Sequence, residues 1–165
     1  MKRVYKILFL GLLLILGFAL QVYLFNNLTI GGTKINLLLM IVFLVAMWFK
    51  PNYSITFSFI IGLLSDLIFT YSIGRFLIIY LLINILVIFL MRLYNKENIW
   101  VTAILSLIVT FILELYFWIY SIIQLSLVQN LFRVAIVSLK GGLFNVIICM
   151  LLTLVFRKFR RILED

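Results

Sequence analysis

Histidine is absent from this chain of 165 residues, which contains a single cysteine and a single proline. Without histidine, most zinc sites, Ser-His-Asp triads and histidine proton relays are excluded. One cysteine excludes a disulfide within the chain. Charged residues make up only 12% of the sequence, about half their share in ordinary soluble domains. Since 67% of the residues are hydrophobic and the mean hydropathy is +1.31, the composition excludes a soluble globular domain and predicts a helical membrane domain.

Long apolar blocks, separated by charged or turn-forming clusters, predict an all-α integral membrane protein with six transmembrane helices in a single domain, residues 1–165. A bilayer core requires about 20 apolar residues in a helix, and blocks without alternation argue against a barrel. The second block is short, but Lys34 and Lys50 flank it and can snorkel to both interfaces, so a span is preferred over a re-entrant segment. The start of the sixth helix is left open. The predicted spans are 4–25, 35–49, 54–69, 75–93, 99–122 and 140–156.

Lysine and arginine set the predicted orientation, because short cytoplasmic loops of membrane proteins carry an excess of these residues. With six spans and the N-terminus inside, ten of the 14 basic residues lie on the inner side and four on the outer side. We therefore expect both termini to be cytoplasmic and the first span to remain uncleaved. The four outer basic residues are Lys34, Arg75, Arg133 and Lys140.

Small and polar residues recur at every fourth position in three of the predicted helices. Four residues advance a helix face by about 40°, so each set forms one narrow stripe. Because small residues allow close helix packing in membranes, we expect helices 3, 5 and 6 to bury these stripes against one another or against a partner's helix. Lining a ligand cavity is the alternative. The stripes are Ser54, Ser58, Gly62 and Asp66; Thr102, Ser106, Thr110 and Glu114; and Gly141, Asn145, Cys149 and Thr153.

Two carboxylates, Asp66 and Glu114, lie inside apolar spans, where a charge costs several kcal/mol unless it is paired, protonated or hydrated. Both fall in the outer halves of their helices, so the outer cations, Arg75 among them, are expected partners. Asp66 has a second interpretation, in which it holds the following turn through bonds from backbone N–H groups. Gly74 in that turn suggests a backbone position that requires conformational freedom. The expected interhelical hydrogen-bond residues are Gln21, Asn84 and Asn145.

The run Gly62-Leu63-Leu64-Ser65-Asp66-Leu67, followed after a short gap by Ser72-Ile73-Gly74, resembles the rod shape-determining protein MreD family. The family pattern is Gly-Leu-Leu-x-Asp-Leu near the end of a helix, then a turn whose glycine opens the next helix. The chain length, the basic N-terminus and the basic C-terminus are also similar. The start of helix 2 departs from the pattern, because Lys34-Ile35-Asn36 retains only the asparagine.

The resemblance implies a six-helix bundle similar to the substrate-binding subunits of energy-coupling-factor vitamin transporters. It also implies a non-catalytic scaffold in the bacterial cell membrane, a subunit of the cell-elongation (rod) complex. Such a scaffold binds the single-span protein MreC and supports lateral peptidoglycan synthesis and cell shape. The actin-like MreB filaments and the SEDS glycosyltransferase–transpeptidase pair are then indirect partners.

Two other classes stay open. A substrate-binding subunit of a vitamin transporter would enclose its ligand with Tyr71, Glu114, Trp118 and Asn145. A membrane enzyme or proton-coupled carrier would use Asp66 and Glu114 as relay acids, but no phosphate loop, nucleophile–base pair or metal-ligand set accompanies them. We therefore expect no catalytic residue, metal, cofactor or nucleic-acid partner. The residues expected in partner binding or interhelical packing are Ser54, Ser58, Gly62, Asp66, Gly74, Arg75, Glu114 and Asn145.

Overall fold

The computed structural model is all-helical apart from a two-residue antiparallel pairing, in which Thr29 pairs with Lys34 and Ile30 with Thr33. It describes residues 2–25, 29–30, 33–70, 74–94, 98–125 and 131–164. A π-helical turn, Gln21–Phe25, extends the first helix, and the strands of the pairing are β1, Thr29–Ile30, and β2, Thr33–Lys34. The helices are α1, Lys2–Leu20; α2, Leu37–Trp48; α3, Pro51–Phe69; α4, Arg75–Leu90; α5, Ile99–Leu125; and α6, Leu131–Glu164.

The all-helical class predicted from composition is confirmed, but most helix ends differ from the predicted spans, and the largest differences are at the two ends of α6, Leu131–Glu164. α6 begins at Leu131, so the apolar segment before residue 140 forms the first turns of this helix. α4 ends at Leu90, and the next residues, through Tyr94, form a turn and a bend. Within the described residues, three helices are long and apolar enough to cross a membrane: Val4–Phe25, Pro51–Phe69 and Ile99–Tyr120.

The short helix α2 is the centre of the bundle. Its 12 residues span about 18 Å, and every residue from Leu37 to Met47 is buried. α2 contacts each of the other five helices, which explains why its sequence is apolar on all sides. The other five helices pack around α2, and their outward faces carry exposed leucine, isoleucine, valine and phenylalanine side chains.

Contacts between helix termini define the two ends of the bundle. Phe18 of α1 stacks on Phe69 of α3, so α1 and α3 finish at one end, together with the start of α4. We name this the Asp66 end. Phe9 of α1 contacts Phe49, just after α2, and Phe156 of α6, so these segments meet at the opposite end, which we name the Lys50 end. The helices therefore run alternately up and down the bundle.

The small-residue stripe of α3 packs against α4 of the same chain. The Asn84 amide Nδ2 donates to the Ser54 hydroxyl at 2.7 Å and to the Ser54 carbonyl at 3.3 Å. A Cβ added at Gly62 would lie 2.6 Å from the Leu77 Cα, so the two backbones touch there. The expectation that this stripe faces helices 5 and 6 or a partner is therefore wrong. The reason is that only five residues of sequence separate α3 from α4, which makes them adjacent antiparallel helices.

The stripes of α5 and α6 face each other, as expected. The Asn145 amide Nδ2 on α6 donates to the Thr110 hydroxyl on α5 at 3.4 Å, and both side chains are buried. At the Lys50 end the Thr102 hydroxyl of α5 also lies 3.8 Å from the Met47 sulfur of the central helix. Asn84 and Asn145 are thus interhelical hydrogen-bond residues, which confirms their predicted role.

Replacing Gly62 by alanine should destabilise the bundle, because the added methyl group meets the Leu77 backbone and not a movable side chain. Overpacking of this kind costs about 1–3 kcal/mol. The matched control is Gly11→Ala on α1, where no atom lies within 4 Å of the new Cβ. Thermal unfolding of both variants in one detergent measures the difference. Equal melting temperatures would contradict the close approach of α3 and α4.

Candidate functional site

The carboxylate of Asp66 connects the end of α3 to the start of α4. Its Oδ2 accepts hydrogen bonds from the backbone N–H of Gly74 at 2.7 Å and of Leu77 at 3.2 Å, and its Oδ1 accepts from the N–H of Phe76 at 2.6 Å. The first N–H groups of a helix have no partner within the helix, and α4 begins with a glycine that has no side chain to cap them. Asp66, which is 1% exposed, supplies that cap from the neighbouring helix.

The backbone between α3 and α4 also requires a glycine. Gly74 adopts φ +108°, a left-handed backbone conformation that residues other than glycine rarely adopt. Thr70 ends α3, and both its N–H and its hydroxyl donate to the Asp66 carbonyl. The hypothesis that Asp66 holds the following turn through bonds from the backbone is confirmed. We call Gly62, Asp66, Gly74 and Leu77 together the α3–α4 corner.

Arg75 does not pair with either acid, so this expectation is wrong. Its guanidinium lies 4.5 Å from the centre of the Tyr120 ring and 4.9 Å from that of Phe117, both on α5. Cation–π contacts of this type stabilise an arginine without a carboxylate. The guanidinium lies against aromatic rings of α5, whereas the Asp66 carboxylate accepts the backbone N–H groups at the start of α4. The cation therefore joins α4 to α5 and not to α3.

The N-terminus of α2 is capped in a similar way at the same end of the bundle. The Gln21 side chain of the π-helical turn accepts from the N–H of Leu37 at 2.7 Å and donates to the carbonyl of Ile35 at 3.1 Å. The Asn36 side chain accepts from the N–H of Leu39 and from the hydroxyl of Tyr80 on α4. Gln21 is therefore an interhelical residue as predicted.

Asn36 and Tyr80 were not among the residues predicted from the sequence, although both take part in this cap. An asparagine directly before an apolar helix is a recognisable N-cap signal, so the sequence contained evidence for Asn36. Tyr80 carried no such signal, because its contact spans 44 residues of sequence. Its hydroxyl links α4 to the central helix and so connects the cap of α2 with the helix that Asp66 caps.

Glu114 differs from the other predicted residues because its carboxylate makes no hydrogen bond or ion pair with the described side chains. It lies half-buried on α5, one turn beyond Thr110. Of its expected cationic partners, Lys140 is exposed, whereas the side chain of Arg133 falls outside the described residues. Among the described interior residues, Glu114 is thus the acidic side chain that no hydrogen bond or ion pair stabilises.

The eight predicted residues therefore do not form a single site. Five belong to the α3–α4 interface, Arg75 joins α4 to α5, and Glu114 and Asn145 lie along α5 and α6. In the part of the chain that the structure describes, no group of three or more histidine, cysteine, aspartate or glutamate side chains has the arrangement of a metal site. Tyr71, predicted as a ligand contact, lies outside the described residues.

Helix lengths, burial and contacts define the class as an all-helical bundle with membrane-protein character, held together by buried polar contacts between helices. Comparisons of this chain with protein-family models, with curated proteins and with solved structures find no match. The arrangement around Asp66 therefore has to be interpreted from its own geometry. That geometry fixes helix ends, because both oxygens of the Asp66 carboxylate accept backbone N–H groups at the start of α4.

Asp66→Ala should destabilise the protein by about 3 kcal/mol, because it leaves three partly buried N–H groups without an acceptor. Asp66→Asn retains one acceptor oxygen, so its loss should be intermediate. Ser58→Ala on the same helix is the control, since the Ser58 hydroxyl donates to a carbonyl of its own helix. Thermal unfolding in detergent ranks the three variants. An order with Ser58→Ala as the most destabilised would contradict the capping role of Asp66.

Proposed function

We propose that this chain is a non-catalytic scaffold of the MreD type in the bacterial cell-elongation complex, where it binds the single-span protein MreC and supports lateral peptidoglycan synthesis. The observation that carries the proposal is the α3–α4 corner. The three residues that carry the resemblance each meet a distinct physical requirement there: close backbone contact at Gly62, capping by Asp66 and a left-handed φ at Gly74. A motif whose residues fix the packing of two helices serves the structure of the bundle, which is what a scaffold function requires.

The use of the buried polar groups supports a scaffold over an enzyme. The Asp66 carboxylate is occupied by backbone N–H groups, the Gln21 amide by the start of α2, and the Asn84 amide by Ser54. These are the interhelical bonds expected of a membrane bundle, which contribute about 0.6 kcal/mol each on average. Side chains committed to such bonds are not free to take part in acid–base chemistry.

The surface proposed for MreC lies on α1. The stripe of α3 is covered by α4, so a partner helix has to use another face. Only 22% of the α1 span is buried inside the bundle, against 39% for the spans of α3 and α5. Gly11 lies on this open face, and a Cβ added there would have no atom within 4 Å, which leaves a notch that a partner's helix can approach closely.

A six-span topology with both termini cytoplasmic is part of the same proposal. Its support is the alternating direction of the helices and the excess of basic residues at the Lys50 end. α2 is about 18 Å long, which is shorter than a bilayer core. Because the other five helices surround α2, its short length exposes no backbone to lipid.

Gly11→Leu should reduce recovery of MreC in a detergent pull-down at least about fivefold, because it removes the close approach of two helices and costs on the order of 1 kcal/mol. The fold should be unaffected, since the new side chain points into open space. Ile104→Phe, which enlarges a side chain exposed on α5, is the matched control and should recover MreC as well as the wild type. Undiminished recovery with a normally folded Gly11→Leu protein would rule out this surface.

One observation favours a second function, that of a substrate-binding subunit of an energy-coupling-factor vitamin transporter. Glu114 is a half-buried carboxylate without a partner among the described residues, and it precedes a cluster of aromatic rings at Phe117 and Tyr120. A ligand with a cationic or hydroxyl group would complete such a site. Thermal stabilisation by one member of a vitamin panel, lost in Glu114→Gln, would favour this function over the scaffold.

A further inference from the structure

A groove of about 350 Å³ opens at the Lys50 end, between the last turn of α2 and the turn that follows α4. Its floor is apolar and consists of the buried Met47 with the half-buried Ile88 and Met91. Its rim is polar, because Arg92 and Tyr94 line it with exposed side chains. The groove is therefore amphipathic, with apolar side chains on its floor and the Arg92 cation at its rim.

We propose that this groove binds an anionic phospholipid. The glycerol and first acyl carbons lie on the Met47, Ile88 and Met91 floor, and the phosphate accepts hydrogen bonds from the Arg92 guanidinium and the Tyr94 hydroxyl at the rim. Arginine binds phosphate oxygens in a bidentate geometry, and tyrosine combines an apolar ring with a polar tip. Lys50, exposed between two residues that line the groove, adds a second positive charge.

The electrostatics of this end favour an anion at the rim over one on the floor. α2 and α4 both terminate here, so their last carbonyl groups place a partial negative charge beside the floor. The full charges of Lys50 and Arg92 outweigh that partial charge only at the mouth.

The dimensions agree with a lipid headgroup. The groove corresponds to the volume of about a dozen water molecules, which is enough for a glycerophosphate and the first methylene groups of one chain. The groove is only partly enclosed, so the remaining acyl chain can extend out of it into the bilayer. The inner end predicted from the basic residues is also where anionic lipids attract lysine and arginine. The proposal goes beyond the scaffold function and does not depend on which partner occupies α1.

The experiment uses the full chain, purified in detergent, with phosphatidylglycerol and phosphatidylcholine of identical acyl chains as probes. Native mass spectrometry gives the Kd, and thermal unfolding gives the stabilisation. We expect saturable stabilisation by phosphatidylglycerol and at least fivefold weaker binding of phosphatidylcholine. Arg92→Gln should weaken phosphatidylglycerol binding about fivefold. Lys158→Gln, which removes an exposed charge outside the groove on α6, should leave it unchanged.

A second variant tests the floor separately from the charge. Met91→Trp fills the groove and retains Arg92, so it should also weaken phosphatidylglycerol binding at least fivefold. If this variant does not fold, Arg92→Gln decides alone, because its side chain is exposed and its loss leaves the packing intact. Any of three outcomes would overturn the proposal. The two lipids bind equally well, Arg92→Gln and Lys158→Gln weaken binding to the same extent, or Arg92→Gln leaves the Kd unchanged. The same stabilisation by inorganic phosphate would overturn it in favour of a free anion.

Discussion

The rest of the bundle depends on the cap that the Asp66 side chain provides for α4. A helix that begins inside a membrane protein exposes N–H groups where water is scarce, and each unpaired one costs free energy. α4 begins with Gly74 in a left-handed conformation, so it cannot cap itself. A carboxylate of α3 accepts three of these N–H groups and thereby fixes the angle at which α4 leaves the corner. The close contact of Gly62 with Leu77 and the Asn84–Ser54 bond then follow along the same interface.

Capping by a neighbouring segment is repeated at the start of α2, where Gln21 and Asn36 occupy the first N–H groups. Two helix N-termini are thus held at the Asp66 end by side chains from outside those helices, and Tyr80 connects them. The polar residues that the membrane would otherwise exclude are used to fix helix ends and helix pairs. A bundle built in this way has an interior joined by polar contacts between helices and an open outer face on α1, which agrees with the proposed role as a scaffold.

Several features of this arrangement were predictable from local sequence. The lengths of the apolar blocks indicated the helical class, and the polar residues Gln21, Asn84 and Asn145 were expected to bond between helices because lone amides in apolar spans need partners. The corner was also predictable, since an acid followed by a glycine turn is a local pattern. The partner of the α3 stripe was not, because a four-residue repeat shows which face is small but not which helix covers it. Arg75 was assigned to an acid on charge alone, whereas aromatic rings on α5 lie within its reach.

The sequence by itself determined that the chain is a helical membrane-type protein, where its first five helices lie to within about five residues, and which polar side chains require partners. These properties follow from composition and from spacing along one chain segment, where the distances are set by helix geometry. Only the tertiary structure decided that α2 is the buried centre, that α3 pairs with α4, and that Glu114 is left without a partner among the described residues. Those outcomes depend on which faces meet across long sequence separations, and the spacing of residues within one helix does not specify the helix that covers a given face.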